Sequence, residues 1–455
     1  MTGFEQAQAH FGAGVDAMNA GDVDGAMAAF RRVLALAPEL PEAHVNLGLL
    51  LAERDPVLSE KHYQRAIASD PLRLDGYVHL GALLASHKRF AEAEASYRLA
   101  LALDPHSAPA LSNLGVLLAC SGREAQAAAC YRAAIAAAPG YQPARFNWSY
   151  LLLRNGEFAA GWRQFEGRGW YASFARHFDF PRWTGQPLAG ASLMIAVEAG
   201  HGDMIQFCRY ASLARRHGAA RIGLVCHPGL KRLFATLAGV DVLYAVDEEI
   251  PRTGWDYWTP PLSMPLHFGT ELATIPAPLP YLAPARADVA RLAPMVDAAA
   301  GGLRVGLRVG VVWQGNPRFE NDADRSIAAL STLAPLASLP NMRFFSLQKG
   351  ASGSQQDAFP GLIDLAPLIG DFADTAALID ALDLVISVDT AVAHLAGALG
   401  KPVWVLLPAY KPDWRWLTGR DDSPWYPAVM RLFRQATAGD WDAVIARVRQ
   451  ALAAL

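Results

Sequence analysis

The feature that most constrains this chain is a repeat of about 34 residues in its first third. Glycines recur there at intervals of 34, 33 and 34 residues, and prolines at intervals of 33, 34 and 34. The glycines are Gly14, Gly48, Gly81 and Gly115, and the prolines are Pro38, Pro71, Pro105 and Pro139. A fixed period of this length indicates stacked helical hairpins, because a single hairpin cannot bury its apolar face alone.

The packing inside each repeat can be inferred from the residues around the glycine. In three repeats an alanine precedes an aromatic residue by four positions. The pairs are Ala26 with Phe30, Ala93 with Tyr97, and Ala127 with Tyr131. Residues four apart share one helix face, so the ring should pack where the alanine lets the neighbouring helix approach. Since a glycine inside a helix costs about 1 kcal/mol relative to alanine, we predict that each glycine marks a close helix crossing.

This pattern resembles the tetratricopeptide repeat (TPR) family over residues 5–139. A further, degenerate unit runs from Tyr141 to about Arg168, with Ser149 in the position of the glycine. The resemblance implies an N-terminal α-solenoid, which we assign to residues 1–145. A degenerate repeat and linker at residues 146–185 should follow it.

A second series lies two positions before the glycine position, on the first helix of successive repeats. Its members are Asn46, His79, Asn113 and Asn147. In TPR arrays this face lines the inner groove, and the protein O-GlcNAc transferases carry a similar asparagine ladder that holds acceptor protein. An amide both donates and accepts hydrogen bonds, so a ladder of amides suits an extended peptide backbone. The resemblance implies an acceptor-binding groove, and the alternative is a set of merely solvated residues.

The composition excludes several classes of function. A formal net charge of −3 at pH 7 leaves no basic excess with which to capture nucleic acid or an anionic membrane. The four cysteines share no C-x-x-C spacing, so neither a disulfide framework nor a zinc knuckle is predicted. The N-terminus lacks an apolar signal region, and no stretch approaches the ~20 apolar residues of a membrane span. We therefore expect a cytoplasmic protein.

After Trp183 short apolar runs alternate with amphipathic helices, which indicates βαβ units and parallel sheet. In the first half we predict strands at Leu193–Val197, Arg221–Cys226 and Val242–Ala245, and helices at Ile205–Arg216 and Leu230–Leu237. In the second half we predict strands at Val309–Trp313, Arg343–Leu347, Leu384–Val388 and Val403–Leu407, and helices at Ile327–Leu336, Thr375–Leu382 and Ala391–Leu399.

Two Rossmann-like halves joined by a loop-rich linker, Pro276 to Leu303, indicate a GT-B type architecture with a cleft between the halves. We assign the first lobe, on the acceptor side, to residues 186–303, and the second lobe, on the nucleotide-sugar side, to residues 304–430. A C-terminal helix should occupy residues 431–455. Because parallel sheets bind ligands at the carboxyl ends of their strands, the loops there should carry the site.

The loop after the first predicted strand reads Glu198-Ala199-Gly200-His201-Gly202-Asp203. Its glycines allow close backbone approach, and Asp203 at the helix start can be interpreted as a helix cap. A Gly-Asp pair at this turn also resembles the heptosyltransferase family, in which the aspartate is the proposed general base. The resemblance implies that Asp203 is the catalytic base, with His201 as the alternative.

The loop after Val309–Trp313 contains Asn316 and runs on to Arg325 and Ser326. Next to a predicted helix N-terminus, Arg325 and Ser326 suit the diphosphate of a donor, and Asn316 is a further candidate for donor binding. The run Asp322-Ala323-Asp324 has the D-x-D form of a metal-bound nucleotide site, yet a TPR turn carries the same form at residues 22–24. Enzymes of GT-B type usually need no metal, so we predict no metal and no cofactor besides the donor.

The segment Ser387 to Ala396 closely resembles the Asp-Thr/His-Leu motif of heptosyltransferases, which contacts the nucleotide-sugar. The resemblance implies donor contacts from Asp389, Thr390 and His394, although His394 can also be a packing residue. Gln348 and Lys349 should lie at the same site, with the Lys349 ammonium stabilising the departing phosphates unless it is simply an exposed lysine. We assign the aromatic cluster from Trp404 to Tyr426 to the core.

Further runs carry a resemblance to bacterial TPR–glycosyltransferase proteins over essentially the whole chain. They are Glu157-Phe158-Ala159-Ala160-Gly161-Trp162, Asp371-Phe372-Ala373-Asp374-Thr375, Asp413-Trp414-Arg415-Trp416 and Ser423-Pro424-Trp425-Tyr426-Pro427. The resemblance implies inverting transfer of a sugar from a nucleotide-sugar to a protein acceptor held in the TPR groove. The alternatives are a catalytically weak TPR scaffold or sensor, and a transferase that acts on a lipid-linked or small glycan acceptor.

Overall fold

The computed structural model describes residues 2–301, 306–350 and 358–455. The chain divides into two compact units, Met1–Leu151 and Leu152–Leu455. The predicted boundary between the two lobes, at residues 303–304, lies outside the described residues.

The first unit consists of helices joined by short turns. They are α1 (Gly3–Asn19), α2 (Val23–Leu36), α3 (Pro41–Leu51), α4 (Pro56–Ser69), α5 (Leu74–Ser86), α6 (Phe90–Leu103), α7 (Ala108–Cys120), α8 (Glu124–Ala137) and α9 (Gln142–Arg154), whose last turn enters the second unit. Several begin with a polar cap: the Asp22 carboxylate, for example, accepts the Gly25 N–H at 2.9 Å. The predicted α-solenoid is confirmed.

The repeat glycines mark close helix crossings, as the sequence predicts. A Cβ atom added to any of the four would lie 2.5–2.9 Å from a ring carbon of the aromatic residue on the second helix of the hairpin. The pairs are Gly14–Phe30, Gly48–Tyr63, Gly81–Tyr97 and Gly115–Tyr131. In the second repeat Ser59 stands in the alanine position, and its hydroxyl donates to the Gly48 carbonyl at 2.7 Å.

The second unit is α/β. Its helices are α10 (Phe158–Phe165), α11 (Ala172–His177), α12 (His201–Phe207), α13 (Tyr210–Arg216), α14 (Lys231–Phe234), α15 (Met264–His267), α16 (Arg286–Ala299), α17 (Asp322–Arg325), α18 (Phe372–Asp380), α19 (Ala391–Ala398) and α20 (Trp441–Leu452). Its strands are β1 (Ser192–Ile195), β2 (Arg221–Cys226), β3 (Val242–Ala245), β4 (Tyr257–Thr259), β5 (Leu307–Val312), β6 (Met342–Ser346), β7 (Ile363–Asp364), β8 (Leu384–Val388), β9 (Val403–Leu407) and β10 (Met430–Arg434).

The strands form two parallel sheets, as predicted. The first has the order β3-β2-β1-β4 and the second the order β10-β9-β8-β5-β6-β7. In the second sheet Val312 of β5 lies opposite Ser387 of β8, and Val388 lies opposite Leu406 of β9. These strands therefore end at the same edge, where the loops after them meet.

Three sequence predictions about the elements are wrong. The helix predicted at Ile327–Leu336 is a 3₁₀ segment, Leu330–Ser338, which contains Pro335. Proline lacks an N–H and clashes with the preceding turn of an α-helix, so an α-helix is disfavoured there. The helix predicted at Ile205–Arg216 is two helices, α12 and α13, and α12 already begins at His201. The linker predicted to be loop-rich contains α16.

Three short strands, β4, β7 and β10, lack a sequence prediction. Residues 431–434, which we assigned with the C-terminal helix, belong to β10, and β10 pairs with β9 at the edge of the second sheet. The predicted aromatic core is confirmed: Trp414, Trp416, Trp425 and Tyr426 are all 0% exposed.

Candidate functional site

In both sheets the strand order reverses next to a strand that is followed by one of the predicted site residues. The first sheet runs from β1 to β2 and β3 on one side and adds β4 on the other, and the second reverses between β5 and β8. Parallel sheets bind ligands outside the carboxyl ends of their strands at such reversals. Asp203 follows β1 and Asp389 follows β8, so both lie at these positions.

Asp203 lies in the first turn of α12 and is engaged through both carboxylate oxygens. One oxygen accepts the Gly200 N–H at 2.9 Å, and the other accepts from the Arg415 guanidinium. The side chain remains 21% exposed. Asp203 is therefore a helix-capping residue that also pairs with a distant arginine, and its role as a base stays a prediction.

Arg415 joins the loops of the two sheets, and the sequence analysis did not select it as a site residue. Its Nε donates to Gln206 Oε1 of α12 at 2.6 Å, and its Nη1 donates to both oxygens of Asp413, each at 2.9 Å. The guanidinium also pairs with Asp203, and the side chain is almost fully buried. The one signal in the sequence was its place in the run Asp413-Trp414-Arg415-Trp416.

Asp389 accepts a hydrogen bond from Trp416 Nε1 at 2.9 Å. Burial raises the pKa of the Asp389 carboxyl to about 6, and the neighbouring Asp413 carboxylate adds to the shift. The hydrogen bond from Trp416 and the charges of Arg325 and Arg415 oppose it. Buried carboxyls with a raised pKa occur frequently in functional sites.

Thr390 stands at the N-cap position of α19, but its hydroxyl makes no capping hydrogen bond. It contacts the Ser387 hydroxyl at 2.9 Å instead. The N–H groups of that first turn therefore lack a side-chain cap from Thr390.

His394 is buried among aromatic residues. Its Nδ1 lies 2.9 Å from the Tyr426 hydroxyl, and its ring stacks on Trp416 with 5.1 Å between centroids. Burial lowers its pKa well below the ordinary value, and the charges of Arg415, Arg209 and Arg325 lower it further. A Cβ at Gly202 would lie 3.0 Å from this ring, so α12 packs directly on α19. These contacts favour the packing interpretation of His394.

His201 lies between two rings. Its centroid is 4.4 Å from that of His227 and 5.1 Å from that of Phe372 at the start of α18. Burial lowers the pKa of His201 to about 4, with a contribution from His227. His201 is therefore neutral at pH 7 and only a weak base.

Gln348 and Ser326 hold the loop that follows β5. Gln348 Oε1 accepts the N–H groups of Trp313 at 3.1 Å and Gln314 at 2.9 Å. The Ser326 hydroxyl accepts the Gly315 N–H at 2.8 Å and donates to Asp322 at 2.9 Å. Both side chains are buried, and their hydrogen bonds hold the backbone of this loop. A direct contact of either with the donor finds no support in these hydrogen bonds.

Arg325 ends the single-turn helix α17, so the prediction that Arg325 and Ser326 precede a helix N-terminus is wrong. The Arg325 Nε donates to Asp322 at 3.2 Å, and its guanidinium lies over the Phe319 ring. Asp322 of the D-x-D run is thus committed to neighbouring side chains. Among the described residues no group of three or more His, Cys, Asp or Glu could hold a metal ion.

Lys349 and Asn316 are both exposed. The Lys349 ammonium donates to the Gly370 carbonyl at 2.9 Å, and Asn316 Oδ1 accepts the Arg318 N–H at 3.1 Å in a local turn. Nothing in these contacts prevents either side chain from reaching a ligand at the edge of the second sheet.

Beneath the Asp203 loop, Glu198 forms a fully buried ion pair that the sequence analysis missed. Arg168 Nε donates to Glu198 at 2.7 Å, and both side chains are 0% exposed. Arg168 also donates to Ser263, the residue before α15, at 2.7 Å. Breaking such a pair leaves an uncompensated buried charge, so this ion pair fixes the position of the loop.

The polar series of the first unit lies on α3, α5, α7 and α9, at one phase of successive hairpins, and each member is half-buried. The His79 ring stacks on Tyr63 with 5.9 Å between centroids, and Asn147 Nδ2 donates to the Ser112 hydroxyl at 3.2 Å. The placement of Asn46, His79, Asn113 and Asn147 agrees with a ladder. Binding of an acceptor by this ladder stays a prediction.

Two family models match the chain. The model described as glycosyltransferase family 9 (heptosyltransferase) matches residues 356–413, which include Asp389 and Asp413. The tetratricopeptide repeat model matches residues 11–56 and 49–108. The chain therefore carries TPR repeats together with a glycosyltransferase family 9 segment, and this combination supports a glycosyltransferase.

A curated relative has a similar sequence. Protein FlbA of Caulobacter vibrioides is 29% identical over 329 residues, which cover 66% of this chain and 53% of FlbA. The chain thus spans about half the length of the curated relative it matches.

Solved structures resemble the chain over about a third of its length. PilF of Pseudomonas aeruginosa is 23% identical, covers 37% of this chain and 79% of its own, and has a TM-score of 0.34. A thermophilic TPR protein of Thermus thermophilus is 22% identical, covers 37% of this chain and 90% of its own, and has a TM-score of 0.33. Among the described residues no helix is long and apolar enough to span a membrane.

Proposed function

We propose that the second unit transfers a sugar, with inversion, from a nucleotide-sugar to a protein acceptor that the TPR groove holds. One observation carries the proposal. Arg415, in the loop after β9, pairs with Asp203 after β1 and with Asp413 of its own loop. The adjacent Trp416 donates a hydrogen bond to Asp389 after β8. A donor bound at the second sheet would therefore lie next to a carboxylate of the first.

The proposed donor site is the crevice beside β8. Arg325 presents a guanidinium whose Nη1 and Nη2 make no hydrogen bond with a described residue, and such a group suits a phosphate. The first turn of α19 supplies backbone N–H groups, and Asp389 can accept a ribose hydroxyl. Lys349 is exposed and can approach the diphosphate.

In the proposed reaction Asp203 takes the proton of the acceptor hydroxyl as that oxygen attacks the anomeric carbon. The bond from the anomeric carbon to the phosphate oxygen breaks, and the nucleoside diphosphate leaves with the bonding electrons. Attack opposite the leaving group inverts the anomeric centre. His201 is the second candidate, since its ring is enclosed between those of His227 and Phe372.

We further propose that the reaction needs no metal and takes place in the cytoplasm, where nucleotide-sugars are available. Transfer rates that are equal with and without a chelator would support metal independence. A rate that falls in chelator and returns with added Mg²⁺ or Mn²⁺ would overturn it.

The test uses the purified full chain with a panel of nucleotide-sugars. Nucleotide release is measured for each nucleotide-sugar. Proteins co-expressed with the chain are analysed by intact-protein mass spectrometry. We expect one donor class to support release and a mass shift of one hexosyl- or heptosyl-sized unit. Asp203→Asn should abolish the shift, whereas the exposed Asp442→Asn on α20 should not.

The two alternatives predict different results. A scaffold or sensor would bind a nucleotide-sugar without releasing nucleotide or modifying any acceptor. A transferase for lipid-linked or small glycans would release nucleotide in cell extract and add mass to the glycan fraction, while every protein keeps its mass. Either pattern would overturn the proposal of a protein acceptor.

A further inference from the structure

Phe319 is an exposed aromatic residue beside the proposed donor site. It lies in the loop after β5, where the second sheet reverses its strand order, and it is 47% exposed. A single exposed apolar side chain is common on protein surfaces. What distinguishes Phe319 is the way its neighbours fix the ring.

One face of the Phe319 ring is covered by a guanidinium. The Arg325 Cζ lies 4.2 Å from the ring centroid, a distance typical of a cation–π contact. Arg325 is itself held by Asp322, which also accepts the Ser326 hydroxyl. Gly315 leaves room for this pair, because a Cβ at that position would lie 2.4 Å from the Asp322 carboxylate. The exposed surface of the ring is therefore its opposite face and edge.

The backbone around the ring is fixed as well. The Phe319 N–H donates to the Asn316 carbonyl at 2.9 Å, and the Phe319 carbonyl accepts the Asp322 N–H at 3.0 Å. Asn321 Nδ2 donates to the Lys411 carbonyl at 3.2 Å, which ties this loop to the loop after β9. These bonds fix the backbone that carries the ring, and the Arg325 contact on one face leaves the other face for a ligand.

A fixed π face beside a guanidinium matches the two ends of a nucleotide. A planar base stacks on an aromatic ring, and the phosphates attached through the ribose suit a guanidinium. The Arg325 charge also acts on Asp389, so phosphate, ribose and base would find partners in one place.

We propose that the open face of Phe319 is the platform on which the nucleobase of the donor stacks, with the adjoining phosphates on Arg325. This inference rests on the proposed donor site. Stacking tolerates any base, so the platform supplies affinity for a nucleoside without selecting among bases.

The test compares binding of UDP, GDP, ADP and CDP with binding of inorganic pyrophosphate, by isothermal titration calorimetry on the full chain. Base–aromatic stacking contributes about 1–3 kcal/mol, so Phe319→Ala should weaken the tightest nucleotide by roughly 5- to 150-fold. Pyrophosphate should bind the variant as it binds the original chain, and Phe319→Tyr should keep nucleotide affinity. Phe4→Ala, which removes another exposed phenylalanine, is the control and should change neither.

The outcomes separate this inference from the proposed function. Unchanged nucleotide affinity in Phe319→Ala would overturn the platform and leave the glycosyltransferase proposal standing. An equal loss of nucleotide and pyrophosphate affinity would also overturn it, because the substitution would then act through the phosphate site. Absence of nucleotide binding by the original chain would overturn both.

Discussion

Replacing Asp389 with asparagine should stabilise the second unit, and increasingly so as the pH rises. Asparagine keeps an oxygen that can accept the hydrogen bond from Trp416 Nε1, and it removes the charge. The predicted gain comes from the ionisation of Asp389, which the fold disfavours through burial and the nearby Asp413 carboxylate.

The magnitude follows from the pKa values. The folded state raises the Asp389 pKa from 3.8 to about 6, and each pH unit of difference corresponds to about 1.4 kcal/mol. Below pH 3.8 the Asp389 carboxyl is mostly protonated in both the folded and the unfolded state and does not lower the free energy of unfolding. Between pH 3.8 and about 6 the unfolded state ionises Asp389 while the folded state keeps the proton, so the free energy of unfolding falls. Above pH 6 both states are ionised, and the loss levels off at about 3 kcal/mol. The advantage of Asp389→Asn should therefore grow from about 1.6 kcal/mol at pH 5 to about 3 kcal/mol at pH 7.

Urea unfolding between pH 5 and pH 8, followed by tryptophan fluorescence, measures this difference. Of the 12 tryptophans, all but Trp148 lie in the second unit, so the signal reports the unit that contains Asp389. Asp442→Asn, an exposed carboxylate on α20, serves as the control and should show no such pH dependence. A difference between Asp389→Asn and the original chain that stays flat with pH, or a variant less stable at pH 8, would refute the reasoning.

Three other predictions concern catalysis, packing and acceptor capture. Asp203→Asn should retain nucleotide binding yet lower turnover by ~10²–10⁴-fold, and an unchanged rate constant for transfer would exclude Asp203 as the base. Gly81→Ala should lower the free energy of unfolding by about 1–3 kcal/mol, because the new Cβ would lie 2.5 Å from a tyrosine ring carbon. Gly12→Ala should raise the free energy of unfolding by about 0.5–1 kcal/mol, because no heavy atom lies within 4 Å of the new Cβ. A melting temperature that is higher for Gly81→Ala than for Gly12→Ala would contradict the prediction that the repeat glycines mark close helix crossings. Replacing both Asn113 and Asn147 with alanine should weaken acceptor binding by about one to two orders of magnitude and leave hydrolysis of the nucleotide-sugar intact. An acceptor KM equal to that of the original chain would show that the ladder has a structural role instead.

Features that depend on a local pattern could be predicted from the amino-acid sequence. A 34-residue period is visible without any structure, because each hairpin repeats the same contact, and the space around Gly48 and Gly81 confirms the contact that the period implied. The strands β2, β3, β8 and β9 begin and end where the apolar runs predicted. For β2, β8 and β9 the reason is that both faces of these inner parallel strands are buried. Asp203 and Asp389 were selected because they follow predicted strands and because their segments resemble heptosyltransferase motifs.

Which of the selected side chains are committed to internal partners could be learned only from the folded chain. Gln348 and Ser326 were predicted to bind the donor, yet their hydrogen bonds go to backbone and side chains of a loop that is distant in sequence from Gln348. Arg415 was not selected, because its partners Asp203 and Gln206 lie more than 200 residues away along the chain. The periodicity of the sequence predicts on which face of an element a residue lies. The residue that it contacts on a neighbouring element depends on how the elements pack in the folded chain. The physical reason is that a hydrogen bond or ion pair needs its two groups within about 3 Å, and only the folded chain brings residues so far apart in sequence to that distance.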